Sequence, residues 1–234
     1  MSFSHSVLEY SVMTLLHESL STDTLVAATQ PQKLRYAVGL DLGQSQDFSA
    51  MAILETPAVD LNTCELRFRF LKRWPLRTPY PAIVDDTVKI VNDLHHRTET
   101  YPLLAVDATG CGAPVVDLFK RERISANLRP VLITGGAEEN YDNGTHRVPK
   151  RNLVSLIQVP LQQGRLKIAS ELPDAAVLVR ELENFQAKIS DAGSDSYGAW
   201  REGTHDDLVL AVALAIWGAA NYNEGRWFTS EFLY

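Results

Sequence analysis

Apolar and polar positions along this chain switch between two periods, and the switches divide it into elements. From Leu34 to Leu42 the apolar residues run almost unbroken, as in a strand covered on both faces. Gly43 to Asp47 supplies a turn and Phe48 to Glu55 a second strand. Between Cys64 and Trp74, Leu66, Phe68 and Phe70 alternate with Arg67, Arg69 and Leu71, the period of a half-exposed strand. These three segments predict an antiparallel meander. Pro79 to His96 then carries Ile83, Val84, Val88, Val91 and Leu94 at helical spacing.

The pattern continues as alternating strands and helices. Leu103 to Asp107 is a short apolar strand, and Pro114 suits the first turn of a helix running to about Ile124. Arg129 to Thr134 predicts a strand ended by Gly135-Gly136. Glu138 to Val148 is polar and predicts a mobile loop. Pro149-Lys150-Arg151 opens an amphipathic helix with Leu153, Leu156 and Ile157; Arg165 to Ala169 predicts a short strand, and Pro173 to Gln186 a helix. Lys188 to Arg201 predicts a hairpin or loop, and His205 to Ala220 a final helix that is apolar nearly all round. The fold class is α/β: a mixed central sheet, a three-strand antiparallel meander plus parallel strands, flanked by helices. Residues 1–33 form a helical or linker segment, 34–222 the domain with an auxiliary segment at about 138–203, and 223–234 a tail.

Composition narrows the class. A chain of 234 residues with 45% hydrophobic content can fill a core. Its net charge of -7 and pI near 5.4 argue against a broad basic surface for tight non-specific DNA binding. The two cysteines, Cys64 and Cys111, lie far apart without a CxxC, which predicts free buried thiols rather than a disulfide scaffold or zinc site. There is no signal-peptide pattern, and Leu208 to Ala220 is too short to cross a bilayer, so a soluble intracellular protein without a membrane partner is expected.

The chemistry lies in acids at element ends. Asp41 closes its strand on the face of Ala37 and Gly39, and Asp107 closes another. On adjacent parallel strands they would stand ~4.8 Å apart and repel unless a cation joined them. Asp206 and Asp207 open the last helix. There a capping role, with Thr204 as cap, competes with a metal role. Alone, each of Asp41 and Asp107 is as easily a turn or capping aspartate. Together the acids predict a pocket for Mg²⁺ or Mn²⁺. Two ions ~3.5–4 Å apart in it would activate water and stabilise the leaving 3′-oxygen of a phosphodiester. Asp47 reaches across the turn as an outer ligand or is a plain turn aspartate. Lys150 and Arg151 are candidates to meet phosphate, or solvated charges. His205 would touch a phosphate, orient Asp206 or be structural. His95-His96 suits a helix end, and Glu181 and Glu183 are read as surface charges.

Three stretches carry a resemblance. Gly39-Leu-Asp41-Leu-Gly-Gln-Ser-Gln-Asp47-Phe-Ser-Ala50, Ala105-Val-Asp107-Ala-Thr-Gly110-Cys-Gly112 and His205-Asp206-Asp207-Leu-Val-Leu-Ala211 resemble, in this order, the motifs of the nuclease domain of tailed-phage terminase large subunits, in the ribonuclease H-like superfamily. The resemblance spans roughly residues 34–222. It implies a metal-dependent endonuclease cutting concatemeric double-stranded DNA, with two ions held by Asp41, Asp107 and the Asp206/Asp207 pair. Asp47 would be an auxiliary acid and Lys150 a basic residue opening the auxiliary helix. It further implies a packaging ATPase domain or subunit, a small terminase subunit and a portal as partners, in the cytoplasm of a bacterial host, with a monomeric isolated domain. The G-x-x-x-x-G-K-[ST] loop of the packaging motor does not occur in the chain. An isolated nuclease domain or a short relative is therefore expected, able to cut but not to translocate.

Three other readings compete. Leu40-Asp41-Leu42-Gly43 also resembles the first phosphate loop of sugar-kinase and actin-like ATPases, which an ATPase assay would reveal. A Holliday-junction resolvase of the same superfamily would be a symmetric dimer that prefers branched DNA. A non-catalytic scaffold module predicts that the acids do not converge and that Mn²⁺ fails to bind.

Overall fold

The computed structural model describes residues 34–43, 47–57, 60–110, 112–192 and 206–222. The helix or linker expected within 1–33, the tail from 223, the stretch 193–201 of the expected hairpin, Thr204, His205 and Cys111 lie outside these residues.

Strands β1 (Leu34–Asp41), β2 (Ala50–Pro57) and β3 (Leu66–Arg73) form the expected antiparallel meander. Helix α1 (Tyr80–Thr98) leads to β4 (Leu103–Asp107), which runs parallel to β1. Helix α2 (Gly112–Arg121) leads to β5 (Asn127–Thr134), parallel to β4. Two short strands follow, β6 (Asn140–Asp142) and β7 (Thr145–Pro149), then α3 (Lys150–Gln162), β8 (Leu166–Ile168), α4 (Ala175–Ala192) and α5 (Asp207–Ala220). Among the described residues, eight strands make one sheet in the order β6-β7-β5-β4-β1-β2-β3-β8.

Two expectations are corrected. The polar segment from Glu138 to Val148 is not a loop. It folds as the β6–β7 hairpin, and β7 joins the sheet parallel to β5. Asn143 and Gly144 take φ of 49° and 81°, the left-handed pair that a tight hairpin turn demands. Lys188 to Ala192 continue α4 rather than opening a loop. The short strand β8 pairs with β3 at the edge of the main sheet.

Strand alternation sorts the core into two sides. Tyr36, Val38, Leu40, Met51, Ile53, Leu104 and Val106 face α1 and α2. Ala37, Ala50, Ala52, Leu103, Ala105 and Val131 face α5, which α3 and α4 cover in turn. Every residue of α5 from Asp207 to Ala219 is buried. Such a helix has no solvent face and must be enclosed.

The strand residues beneath α5 are small, which lets it approach closely. Gly39 is the extreme case: a Cβ there would lie 2.0 Å from the Ala211 carbonyl oxygen and 2.5 Å from the Ala215 nitrogen. A Cβ on Gly218 would meet the Cδ2 of Leu103 at 2.7 Å, with the Cβ atoms of Ala105 and Ala37 each 3.7 Å away. These two contacts orient α5 antiparallel to β1, its later residues over the start of the strand and its first turn toward the strand's end.

Candidate functional site

Asp41 is the last residue of β1 and Asp107 the last of β4. The parallel register pairs Leu40 with Val106, so the next residue on each strand, an aspartate in both cases, stands beside the other. Neighbouring strands lie ~4.8 Å apart. The row extends across the sheet: Arg73 is opposite Ala50, Ala50 opposite Asp41, Asp107 beside Val131, and Val131 beside His146. Directly paired residues share a face, and Ala50 and Val131 belong to the α5 side. Asp41 and Asp107 therefore sit on the side of the sheet that α5 covers.

The helix contributes the other acids. From Gly39 to Asp41 the strand advances ~7 Å. From Ala211 back to Asp207 the helix covers ~6 Å in the same direction. The first turn of α5 thus reaches the edge where the two strand-end aspartates sit. Asp206 is the N-cap residue, yet its side chain makes no capping hydrogen bond, and Asp207 is the first helical residue. Exposure is 5% for Asp41, 2% for Asp107, 8% for Asp206 and 6% for Asp207, so four carboxylates are withdrawn from water at one end of one face.

Asp107 is held from its own loop. Its Oδ1 accepts the backbone N–H of Thr109 at 2.8 Å and also the Thr109 hydroxyl. The Thr109 Oγ1 in turn accepts the N–H of Ile133 on β5 at 2.8 Å, which ties the carboxylate to the neighbouring strand. Replacing Thr109 by Val keeps the shape and removes the hydroxyl. We expect that variant to lose ~10–100-fold in divalent-ion affinity, as outer partners of ligating carboxylates commonly do. Calorimetric titration with Mn²⁺ checks this, and unchanged affinity would remove Thr109 from the site.

Glu181 corrects the reading of it as a surface charge. It is 5% exposed, whereas Glu183 is exposed as expected. Its Oε2 accepts the N–H groups of Leu208 and Val209 at 3.0 and 3.2 Å, and its Oε1 lies 3.6 Å from the Arg73 guanidinium. Burial pushes its carboxyl up to about 7; the N–H of Val209 opposes the rise and the charge of Asp207 adds to it. A sequence signal for this exists. Leu178, Leu182 and Phe185 are the buried stripe of α4, and Glu181 falls inside that stripe.

Two predicted residues are more exposed than these four acids. Asp47 is exposed and lines a 340 Å³ cleft with Gly43, Ser49, Arg77, Thr78 and Tyr80. Lys150 is the first residue of α3, half-buried. It follows the end of β7, a strand two places from β4, four residues past the row through Asp107 and His146. The exposed Arg151 donates to the carbonyl of Ala137. His95 and His96 close α1, and the Nδ1 of His95 lies 2.8 Å from the Thr100 carbonyl, a structural role. Cys64 is a free thiol, half-buried rather than fully enclosed.

The carboxylate oxygens are not drawn to one point. Among the described residues, no three His, Cys, Asp or Glu side chains form a ready-made ion cluster. The donor set itself fits a hard divalent cation. Carboxylates supply oxygen alone, as Mg²⁺ and Mn²⁺ prefer. Gathering such charges out of water is costly until a cation joins them. No described helix is long and apolar enough to cross a membrane.

No family model matches the chain. In structure it is similar to the large terminase nuclease of phage G20c, with TM-score 0.51 and 19% identity over 78% of this chain and 81% of that one. It is also similar to the human cytomegalovirus terminase nuclease domain, soaked with Mn and inhibitor-bound, with TM-score 0.55 and 14% identity over 85% of this chain and 88% of that one. The chain has the ribonuclease H-like fold. In sequence it is similar to the terminase large subunit of Thermus phage G20c, 24% identical over 218 residues. That match takes in 91% of this chain and 38% of the relative, so the chain spans well under half of the relative's length. The resemblance to terminase large-subunit nuclease domains thus holds in both sequence and fold.

Proposed function

We propose that this chain is a divalent-metal-dependent DNA endonuclease of the phage-terminase type, cutting concatemeric double-stranded DNA during genome packaging. The observation that carries the reading is the pairing of Asp41 with Asp107 on adjacent parallel strands, under a helix whose first turn brings Asp206 and Asp207 to the same edge. Those four carboxylates would hold two ions, Mg²⁺ or Mn²⁺, with Asp47 as an auxiliary acid. When bound, such ions activate water for in-line attack on a phosphodiester and stabilise the departing 3′-oxygen.

The chain's own residues do the rest. The β1–β4 register fixes the separation of two ligands, and Thr109 fixes the orientation of one. The N-terminus of α5 adds positive dipole where negative charge collects. Lys150 meets the phosphate backbone from the auxiliary side. An acidic protein binds DNA weakly by itself. That suits a nuclease to which a packaging ATPase domain or subunit delivers DNA, alongside a small terminase subunit and a portal, in the cytoplasm of a bacterial host.

Incubation of the purified chain with supercoiled plasmid tests this. Nicking and linearisation are expected with Mn²⁺ or Mg²⁺, and none with EDTA. Mn²⁺ should also raise the melting temperature, since an ion at 100 times its dissociation constant stabilises by about 2.7 kcal/mol. No cleavage and no thermal shift at millimolar Mn²⁺ would reject the proposal.

A further inference from the structure

We infer that Glu181 is a positioning residue for the metal centre: it caps α5 from the neighbouring helix and so releases Asp206 and Asp207 from capping duty. The inference rests on the nuclease reading for its purpose, but its geometry stands independently.

The first N–H groups of any helix lack partners inside the helix, and a side chain at the N-cap normally accepts those of the second or third residue. In α5 these residues are Leu208 and Val209, and the N-cap is Asp206. An aspartate is well suited to that task, yet the Asp206 side chain does not perform it. Both N–H groups go instead to one oxygen of Glu181, 27 and 28 residues earlier in the chain. The cap has been moved to another helix.

Glu181 is itself fixed from the sheet. The Arg73 guanidinium is 3.6 Å from Oε1 and stacks over the Phe48 ring, 4.1 Å from its centroid. The Arg73 backbone N–H is bound by Oδ2 of Asp174, just ahead of α4, at 3.0 Å. Arg73 lies in the same cross-strand row as Asp41 and Asp107, with Ala50 between it and Asp41. A continuous path therefore runs from the row that bears the strand-end aspartates, through Arg73 and Glu181, to the backbone of the turn that bears Asp206 and Asp207. It sets the spacing between the two halves of the ligand set. A cap supplied by Asp206 itself would have turned that carboxylate onto its own helix.

The test uses the full chain with Glu181→Gln, Glu181→Asp and Glu181→Ala. Gln keeps an oxygen at the same reach and can accept both N–H groups. Asp is one methylene shorter and cannot; it guards against the Ala variant failing to fold. Amide hydrogen exchange at Leu208 and Val209 is expected to quicken at least about tenfold in the Asp and Ala variants and to stay near wild type in Gln. Mn²⁺ affinity, read by titration calorimetry, should fall about 10–100-fold in the Asp and Ala variants and stay near wild type in Gln. Plasmid nicking should follow affinity. Wild-type exchange and affinity in Glu181→Asp would overturn the inference. So would a Gln variant as impaired in Mn²⁺ binding as Ala, since that would make Glu181 a ligand. If the wild-type chain bound no Mn²⁺, the nuclease reading would fail while the exchange measurements still decided where α5 is capped.

Discussion

Asp41→Asn and Asp107→Asn are each expected to reduce Mn²⁺-dependent plasmid cleavage by at least about a thousandfold, a loss of roughly 4 kcal/mol of transition-state stabilisation. Asparagine keeps the size of each side chain, and at position 107 its oxygen can still accept from Thr109. The fold should therefore persist, and the loss should come from the removed charge. A second signature separates this from simple damage. Without divalent ions both variants should be at least as stable as wild type, by up to ~1 kcal/mol, because one of two adjacent buried carboxylates is now neutral. With Mn²⁺ the order should reverse, since only the wild type gains binding energy. Thermal melting with and without Mn²⁺ checks both halves. Cleavage at the wild-type rate by either variant would strip that aspartate of its role.

The second large effect is expected from a residue that has no side chain. In Gly39→Ala the new Cβ would meet backbone atoms of Ala211 and Ala215, which cannot rotate aside. Helix α5 must lift from β1 or β1 must sink. Overpacking of this kind costs about 1–3 kcal/mol, and we expect the upper end. The same lift displaces Asp206 and Asp207 from Asp41, and a misplacement of ~1 Å can cost ~10²-fold in rate. Gly218→Ala is the matched control. Its Cβ meets the tip of Leu103, which can turn away, so a cost below about 1 kcal/mol and near-normal cleavage are expected. Urea unfolding and plasmid nicking on both variants give the comparison. Equal behaviour of the two would show that α5 does not depend on close approach at Gly39.

Much of this arrangement is legible in the chain because its signals are local. The alternation of Leu66 and Phe68 with Arg67 and Arg69 marks β3, and the unbroken apolar runs mark β1 and β4. The small residues of α5 announce close packing, and Ala211 and Ala215 are the ones that meet Gly39. The β6–β7 hairpin is hidden because its first strand is exposed and only three residues long, with one aromatic between two polar residues, so no hydrophobic period marks it. Asn143-Gly144 is the available cue. The pairing of β8 with β3 joins segments about 100 residues apart, and no periodicity encodes a partner. Glu181 escapes the sequence reading for a related reason. A glutamate inside an apolar stripe has meaning only once the N–H groups it serves are known, and those belong to α5.

The embrace of β1 and α5 has a consequence for timing. Gly39 and Ala211 are about 170 positions apart, so their contact closes one of the longest loops in the described chain. Contacts of that kind form late, after the nearer pairings have lowered the entropy of closure. A nascent chain can build the β1–β2–β3 meander while α5 is still inside the ribosome, but the acids of its first turn arrive only with the final docking. The assembled acid edge would then be the last feature the domain acquires. Copies in which α5 has not docked would lack it.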